Sequence, residues 1–462
     1  MRCRWIGNGS TVEQRVAQIR TGWGVSHVLD YEEVIHVPIS AAVRRKLVVV
    51  GLGYVGLPLV VEAVKAGLSV TGLDRNLDVL DGLAAGRSHV DDIDVETVRW
   101  LLDAGFAATS DASVIAHADA VVVCVPTPLS RDGEPDLGAV KQAASTISKH
   151  LSIGTLVVLE STTYPGCTDE VFVPLLQAGG LVAGVDFHAA FSPERVDPGN
   201  PTYGVKNTPK VVGGYTPACT DAAVVFYEQF IDTVVRANGT REAEMAKLLE
   251  NTYRHINIAL VNEMARFSHD LGIDLWNVIE CAATKPFGFQ AFRPGPGVGG
   301  HCIPIDPNYL SHSVKARLKY PFRFVELAEE INSSMPGYVA RRIQDLLNDA
   351  GKAVRGSNIL LLGVTYKANI ADERESPAVP LAKRLSHMGA KLSYHDPHVP
   401  AWGPEAGQRL QRITDLDAAL ASADICVLLQ HHREYDPDHL TKTARLLFDT
   451  RGVTRSDQVA RL

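Results

Sequence analysis

The chain has 462 residues, which is more than one hydrophobic core usually supports, so two or three domains are expected. Hydrophobic residues make up 46% and charged residues 21%, a composition typical of folded globular proteins and not of disordered ones. The formal net charge of -8 excludes a general electrostatic attraction to nucleic acids or anionic lipids.

Cysteine usage and apolar runs indicate the kind of environment. The seven cysteines are scattered, odd in number and without a C-x-x-C pair, which favours reduced thiols over disulfides or a zinc site. The apolar runs, such as residues 120–125, are far shorter than the roughly 20 residues of a transmembrane helix. The N-terminus shows no continuous apolar stretch typical of a secretory signal. We therefore expect a cytoplasmic protein with no metal site and no membrane partner.

The first half of the chain has the pattern of a parallel sheet. Residues 1–44 carry no motif and are interpreted as an extension of unknown role. An apolar run at Lys46–Val50 then stops at Gly51, and residues 59–66 have helical composition. Further strand-like runs follow at 68–73, 120–125, 156–159 and 211–212. Strands that alternate with helices predict βαβ units.

The second half of the chain changes pattern twice. Residues 242–270 predict a helix too long for a simple crossover, which fits a connector between domains. From residue 358, strand-like runs at 391–394, 424–429 and 446–449 again alternate with helices. The sequence thus predicts an α/β protein with two Rossmann-like, doubly wound domains joined by a central helical region. The expected segments are the extension 1–44, a cofactor domain 45–235, a central domain 236–350 and a ligand domain 351–462.

A glycine motif follows the first predicted strand. Gly51-x-Gly53-x-x-Gly56 has the spacing at which glycines permit a tight turn and close approach of a pyrophosphate to a helix N-terminus. Asp74 ends the next strand, where its carboxylate can accept hydrogen bonds from an adenosine ribose. The pattern predicts NAD binding. The neighbouring Arg75 slightly weakens the prediction of NAD over NADP, since an arginine there can accommodate the 2′-phosphate of NADP.

A second motif surrounds Cys302. A buried structural cysteine is the default interpretation, because a free cysteine packs as a small hydrophobic residue. Two features favour chemistry: the preceding glycine loop, which includes Gly299, exposes N–H groups, and the carboxylate of Asp306 follows four residues later. His301 is disfavoured as a base for Cys302, because adjacent side chains on an extended chain point in opposite directions.

Six motifs occur in the order seen in one enzyme family. They are GLGYVGLP at 51–58, ESTTYPG at 160–166, SPERV at 192–196, KLLEN at 247–251, GGHCIP at 299–304 and RESP at 374–377. With these motifs the chain resembles the nucleotide-sugar 6-dehydrogenases of the UDP-glucose/GDP-mannose dehydrogenase family. The segments 286–289 and 292–297 are most similar to the branch acting on UDP-N-acetylhexosamines, particularly UDP-N-acetylglucosamine.

The resemblance implies oxidation of a sugar C6 hydroxymethyl group to a carboxylate, with two NAD and one water consumed. Cys302, as a thiolate, would form a thiohemiacetal and then a thioester that water hydrolyses. Glu194 is the implied general base for that hydrolysis, and Thr162 would hold water or the cofactor. Without the resemblance, a turn carboxylate and a strand-end hydroxyl would be the ordinary interpretations.

Lys247 and Asn251 are four residues apart on one predicted helix, so they project from the same face. An ammonium group and an amide aimed at one point can stabilise an alkoxide or a thiohemiacetal oxyanion. Such a pair usually lies on a solvated helix face. The match to the KLLEN motif favours a role in the active site instead. Asp306 would accept the first proton or orient Lys247.

The remaining assignments also follow from the resemblance. The implied cofactor residues are Gly51, Gly53, Tyr54, Val55, Gly56, Asp74, Thr127, Thr162 and Arg374. The implied substrate residues are Glu194, Arg195, Lys247, Asn251, Gly299 and Lys367. The expected partners are a UDP-sugar and further copies of the chain in a homodimer or higher oligomer.

Three rival functions share part of this sequence pattern. An enzyme acting on UDP-glucose or UDP-N-acetylmannosamine is the nearest rival. A non-catalytic sugar-nucleotide-binding protein should lack some of Lys247, Asn251, Cys302 and Asp306, yet all four are present. A two-electron dehydrogenase is disfavoured because it needs no nucleophilic cysteine.

Overall fold

The computed structural model of the protein describes residues 46–90, 92–130, 135–197, 200, 202–300, 303–405 and 408–462. The predicted extension, residues 1–44, lies outside these ranges, as do His301 and Cys302.

A large sheet forms the N-terminal part of the described chain. Its strands β1 to β8 lie at Lys46–Val50, Ser69–Leu73, Ala107–Thr109, Ala120–Val123, Leu156–Leu159, His188–Phe191, Lys210–Gly214 and Val234–Arg236. The strand order is β3-β2-β1-β4-β5-β6-β7-β8, and only β6 and β7 pair antiparallel. All four residues of β4 are buried and alternate between the cores on the two faces. The order reverses between β1 and β4, where open α/β sheets bind ligands.

Helices cover both faces of this sheet. Helices α1 to α6 span Gly56–Lys65, Leu77–Ala84, Val95–Asp103, Gly138–Ser148, Val173–Gln177 and Pro217–Tyr227. Asn76, Asp94 and Thr216 cap α2, α3 and α6 by accepting a hydrogen bond from a first-turn N–H group. No side chain caps α1, so its N-terminus beside the glycine turn is left for another partner.

The central part of the chain is helical. Its helices α7 to α10 span Thr240–Asp270, Leu275–Ala283, Asp306–Leu318 and Arg323–Asp349. The 31 residues of α7 give a length of about 46 Å. Helix α7 packs along α10 and α9 and also contacts β7. Within the described ranges, no helix is both long and apolar enough to cross a membrane.

A second sheet forms the C-terminal part. Its strands β9 to β15 lie at Asn358–Leu362, Lys391–His395, Ala401–Glu405, Gln408–Gln411, Ile425–Leu428, Leu447–Asp449 and Ala460–Arg461. Helices α11 to α13 span Ala378–His387, Leu416–Ser422 and Pro437–Thr443. The five strands in the order β10-β9-β13-β14-β15 are all parallel, while β11 and β12 form a separate antiparallel pair.

The predicted fold class, two α/β domains and a helical middle, is confirmed. The pair β11 and β12 was not predicted, because the proline- and glycine-rich residues 400–407 have the composition of a loop. Trp402 explains why the pair forms: its side chain is buried and packs on Tyr394 with ring centroids 5.5 Å apart.

Two glycines of the first βα turn differ in the space around them, and this difference predicts how well each tolerates substitution by alanine. A Cβ atom at Gly56 would lie 1.9 Å from the carbonyl oxygen of Gly51, whereas a Cβ atom at Gly53 would meet nothing within 4 Å. We expect Gly56→Ala to lower the free energy of unfolding by about 2 kcal/mol or more through overpacking. Gly53→Ala, its matched control, should change it by about 0.5 kcal/mol or less. Equal midpoints in thermal denaturation of the ligand-free variants would contradict this view of the turn.

Candidate active site

A single cavity of about 1250 Å³ is lined by residues from all three parts of the described chain. The residues predicted for the site that line it are Gly51, Gly53, Tyr54, Val55, Asp74, Thr127, Thr162, Glu194, Arg195, Lys247, Asn251, Gly299, Asp306, Lys367 and Arg374. Gly300 and Ile303, the described neighbours of the His301–Cys302 segment, line it as well. The volume exceeds that of an ordinary single-ligand pocket.

Gly56 is the predicted cofactor residue that does not line the cavity. It is buried, and its Cα lies too close to the Gly51 carbonyl for any side chain. Gly56 therefore acts by packing α1 against the turn, and the open approach lies at Gly53.

The turn and the end of β2 fit a dinucleotide. The Asp74 carboxylate accepts hydrogen bonds from the N–H groups of Leu52 and Asn76, both at 2.9 Å, and so sits beside the glycine turn. Open space above Gly53 and the uncapped N-terminus of α1 suit a pyrophosphate. Arg75 donates to the side-chain oxygen of Gln142 at 3.1 Å across the cavity wall. These residues fit NAD.

Two buried side chains of α7 line the cavity. Lys247 Nζ donates to the main-chain oxygen of Glu194 at 2.5 Å, and Asn251 Nδ2 donates to Asp306 Oδ2 at 2.5 Å. Burial raises the pKa of Asp306 to about 6, although the Lys247 cation and the Asn251 hydrogen bond oppose this change. A carboxylate with this pKa can exchange a proton near neutral pH.

The sequence left two roles open for Asp306. Among the described residues, no ion pair within 4 Å joins its carboxylate to Lys247, whose ammonium group binds the Glu194 carbonyl instead. Orientation of Lys247 by Asp306 therefore has no direct contact to support it. Proton acceptance is the role that the geometry favours.

A buried charge cluster lies behind Glu194. Lys210 Nζ lies 2.9 Å from Glu160 Oε1 and 3.9 Å from Glu194 Oε2, and the Tyr227 hydroxyl donates to the same Glu160 oxygen. Burial raises the pKa of Glu160 against the attraction of the Lys210 ammonium group. This cluster was not predicted from the sequence; the available signal was that Glu160 and Lys210 both lie at strand ends of one sheet.

Glu244 is a second residue that the sequence analysis missed. Its fully buried carboxylate accepts hydrogen bonds from Gly166 N–H at 2.5 Å, from the N–H and hydroxyl of Thr168 at 2.8 and 2.7 Å, and from the Thr163 hydroxyl at 3.3 Å. Burial raises its pKa to about 7. The carboxylate joins α7 to the loop that carries Thr162. Its position three residues before Lys247, on the same helix face, was the signal.

The C-terminal domain contributes two of the predicted cations. Lys367 Nζ lies 2.6 Å from Asp197 Oδ1 of the first domain. Arg374 binds Asp372, with Nη2 2.6 Å from Oδ2, and its Cζ lies 5.2 Å from the ring centroid of Tyr54. Arg374 thus reaches the glycine turn from across the cavity.

Two further arginines differ in their partners. The guanidinium group of Arg195 lies 2.7 Å from Glu250 Oε1 and donates to the Pro209 carbonyl, so it is already engaged. Arg451, which was not predicted, donates to the Leu429 carbonyl at 2.5 Å, and burial lowers its pKa to about 10. No carboxylate of the described chain pairs with it within 4 Å, and it lines the cavity, as suits an anionic ligand.

One cluster of possible metal ligands lies in the C-terminal domain. Ligand atoms of His398, His432 and Glu434 come within 4.8 Å of one another, and none of the three residues lines the cavity. Both ring nitrogens of His432 already have hydrogen-bond partners, the Asn369 N–H and the Asp396 carboxylate.

Three family models match the chain in succession. They describe the NAD binding domain, the central domain and the UDP binding domain of the UDP-glucose/GDP-mannose dehydrogenase family, at residues 45–231, 241–334 and 360–456. The matches leave few residues of the described chain uncovered.

Individual relatives agree with these models. The UDP-N-acetyl-D-glucosamine 6-dehydrogenase of Salmonella typhi is 37% identical, with 89% of this chain and 97% of the relative covered. The NDP-N-acetyl-D-galactosaminuronic acid dehydrogenase of Ralstonia nicotianae is 34% identical, with 90% and 98% covered. The solved UDP-D-ManNAc dehydrogenase of Pyrococcus horikoshii has a TM-score of 0.81 at 31% identity, with 90% and 98% covered. The chain therefore belongs to the UDP-glucose/GDP-mannose dehydrogenase family and is an NAD-dependent oxidoreductase.

Proposed function

We propose that the protein oxidises C6 of a UDP-N-acetylhexosamine, with UDP-N-acetylglucosamine as the preferred substrate, to the uronate. The observation that carries the proposal is the continuous cavity, which joins the glycine turn, the Lys247, Asn251 and Asp306 group, and the C-terminal cations. The names of the similar proteins support an N-acetylated sugar, since those of Salmonella typhi, Ralstonia nicotianae and Pyrococcus horikoshii all carry one. UDP-N-acetylmannosamine and UDP-glucose are the rival substrates.

In the first oxidation Asp306 accepts the proton of the C6 hydroxyl group. Its raised pKa of about 6 leaves it ionised at neutral pH yet basic enough to take a proton. The Lys247 ammonium group and the Asn251 amide stabilise the developing alkoxide. The glycine turn at Gly53 and the Asp74 carboxylate would hold NAD, which would supply the hydride acceptor for both oxidations.

In the second oxidation the Cys302 thiolate adds to the aldehyde carbon and forms a thiohemiacetal, whose loss of hydride gives a thioester. Glu194 then removes a proton from the water that attacks the thioester, and the thiolate leaves as the carboxylate product forms. Thr162 lines the same cavity and is assigned to hold this water. Lys210 Nζ lies 3.9 Å from Oε2 of the Glu194 carboxylate.

We also propose that the central helices form a homodimer. Leu249, Tyr253, Leu260 and Phe267 are exposed on α7 at spacings of four and seven residues, which places them along one face. In a dimer these four apolar side chains would be covered by the second copy and removed from water. The segment boundaries 45–235, 236–350 and 351–462 and the cytoplasmic location stay predictions.

The substrate proposal predicts both a stoichiometry and a ranking. With limiting UDP-N-acetylglucosamine we expect two NADH per sugar, because the thioester route removes two hydrides before release. The measurement is NADH absorbance across UDP-N-acetylglucosamine, UDP-N-acetylmannosamine, UDP-glucose and GDP-mannose, with UDP-N-acetylglucosamine giving the highest kcat/KM. One NADH per sugar with aldehyde in solution would contradict the thioester route, and a higher kcat/KM for another sugar would overturn the substrate choice.

The assignments of Cys302 and Glu194 predict different defects. Cys302→Ser should bind both ligands but lose steady-state turnover, because a serine hydroxyl is far less acidic than a thiol. Glu194→Gln keeps the thiol but lacks the base for hydrolysis, so an NADH burst should precede a slow phase. Mass spectrometry of the quenched Glu194→Gln enzyme should show the sugar nucleotide on Cys302. An adduct on another residue, or full turnover by Cys302→Ser, would refute these roles.

The environment of Asp306 predicts the pH dependence of the reaction. Only the ionised carboxylate accepts a proton, so kcat/KM should fall as the pH drops through about 6. Lys247→Met removes the cation that lowers the pKa of Asp306, so this limb should move to higher pH while the rate also drops. Lys383→Met, an exposed lysine outside the cavity, is the control and should leave the limb in place. A limb that is missing down to about pH 5, or one that Lys247→Met leaves unmoved, would contradict this role.

A further inference from the structure

A buried aspartate and histidine lie beneath the loop that carries Lys367. Asp396 follows β10, His432 follows β13, and both side chains are fully buried and outside the cavity lining. We propose that Asp396 and His432 are positioning residues that fix the loop 363–369 for binding of the UDP-sugar. This inference rests on the proposed function through the assignment of Lys367 to the substrate.

The hydrogen bonds connect three strand ends to one another. Asp396 Oδ2 accepts from the N–H of Val364, just after β9, at 2.7 Å and from His432 Nε2 at 3.0 Å. The second nitrogen, His432 Nδ1, accepts from the N–H of Asn369 at 3.0 Å. Because Nδ1 accepts, Nε2 carries the hydrogen and donates to the carboxylate. His432 thus uses one donor and one acceptor to hold both ends of the loop.

The group also includes a hydroxyl, which invites comparison with a catalytic triad. Thr365 Oγ1 lies 3.3 Å from His432 Nε2, the same nitrogen that faces Asp396. In a triad the nucleophile and the carboxylate bind opposite ring nitrogens. The Thr365 hydroxyl moreover donates to the Lys367 carbonyl at 2.8 Å, and the residue is buried. The arrangement therefore shapes the loop and does not activate a nucleophile.

The loop held in this way contacts two parts of the active site. Tyr366 packs on the glycine segment: its ring carbon Cε2 lies 2.7 Å from the position of a Cβ atom at Gly300. Lys367 reaches Asp197 of the first domain at 2.6 Å. Both Tyr366 and Lys367 line the cavity. If the loop were released from Asp396 and His432, Tyr366 and Lys367 would therefore shift relative to the substrate. The glycine turn at Gly53 would stay intact.

Three substitutions each remove part of the hydrogen bonding of the pair. His432→Asn can keep the acceptor near Nδ1 and His432→Gln the donor near Nε2, while Asp396→Asn removes a carboxylate oxygen. We expect each to raise the Kd for UDP and the KM for the UDP-sugar about tenfold, and to leave the Kd for NADH within about twofold. His431→Gln is the matched control, since the one hydrogen bond of the His431 ring within the described residues goes to the Tyr435 carbonyl; it should leave all three constants unchanged.

Isothermal titration with UDP alone and with NADH alone, well below the melting temperature of each variant, gives the answer. A lower melting temperature with unchanged UDP affinity, or equal losses for UDP and NADH, would overturn the positioning role. If the buried variants fail to fold, Thr365→Val decides: it removes only the hydroxyl and should weaken UDP about threefold, and no change would overturn the proposal.

The same titrations separate the two proposals. A wild-type protein that binds UDP but oxidises no UDP-hexose would refute the proposed function, while the variants would still test the positioning role. A wild-type protein that does not bind UDP would overturn both.

Discussion

Glu244, Lys247 and Asn251 are spaced by three and four residues on α7, so their side chains leave the helix on one face. Each binds a different segment of the chain: Glu244 the loop before α5, Lys247 the Glu194 carbonyl, and Asn251 the carboxylate of Asp306. All three side chains are buried, so the cost of removing each from water is offset only while it keeps its hydrogen-bond partner. The rotation of α7 about its axis is thereby fixed relative to the segments that carry Gly166, Glu194 and Asp306.

A buried ion pair also lies beside the cavity wall. The Lys210 and Glu160 pair is buried, and such a pair is retained only when its charges are well compensated. Within the described chain, Glu160 Oε2 has no hydrogen-bond partner, and Glu160 lines the cavity. A buried carboxylate oxygen without a hydrogen-bond partner lowers the stability of the fold. Its presence therefore favours ligand binding at the part of the cavity wall beside Glu194.

The fold was largely predictable because its signals are local, whereas much of the site was not. The apolar run of β1 and the spacing of Gly51, Gly53 and Gly56 can be identified within residues 46–56 of the sequence. Glu244 and Gly166 are 78 residues apart, and Asp396 and His432 are 36 apart, so no local period reveals either contact. Lys247 and Asn251 were identified because the motif that contains them is local and its resemblance supplied the chemistry.

The two ligand ends of the cavity are physically joined through Tyr54 and Arg374. Tyr54 belongs to the glycine turn, and Arg374, held by Asp372, stacks on its ring from the other domain. A cation over an aromatic face gains energy only at short range, so this contact favours a closed cavity. Lys367 and Asp197 add a second interdomain contact beside it. The glycine turn and the C-terminal cations therefore border one cavity, and ligands that displaced water from it would strengthen the hydrogen bonds of Lys247 and Asn251.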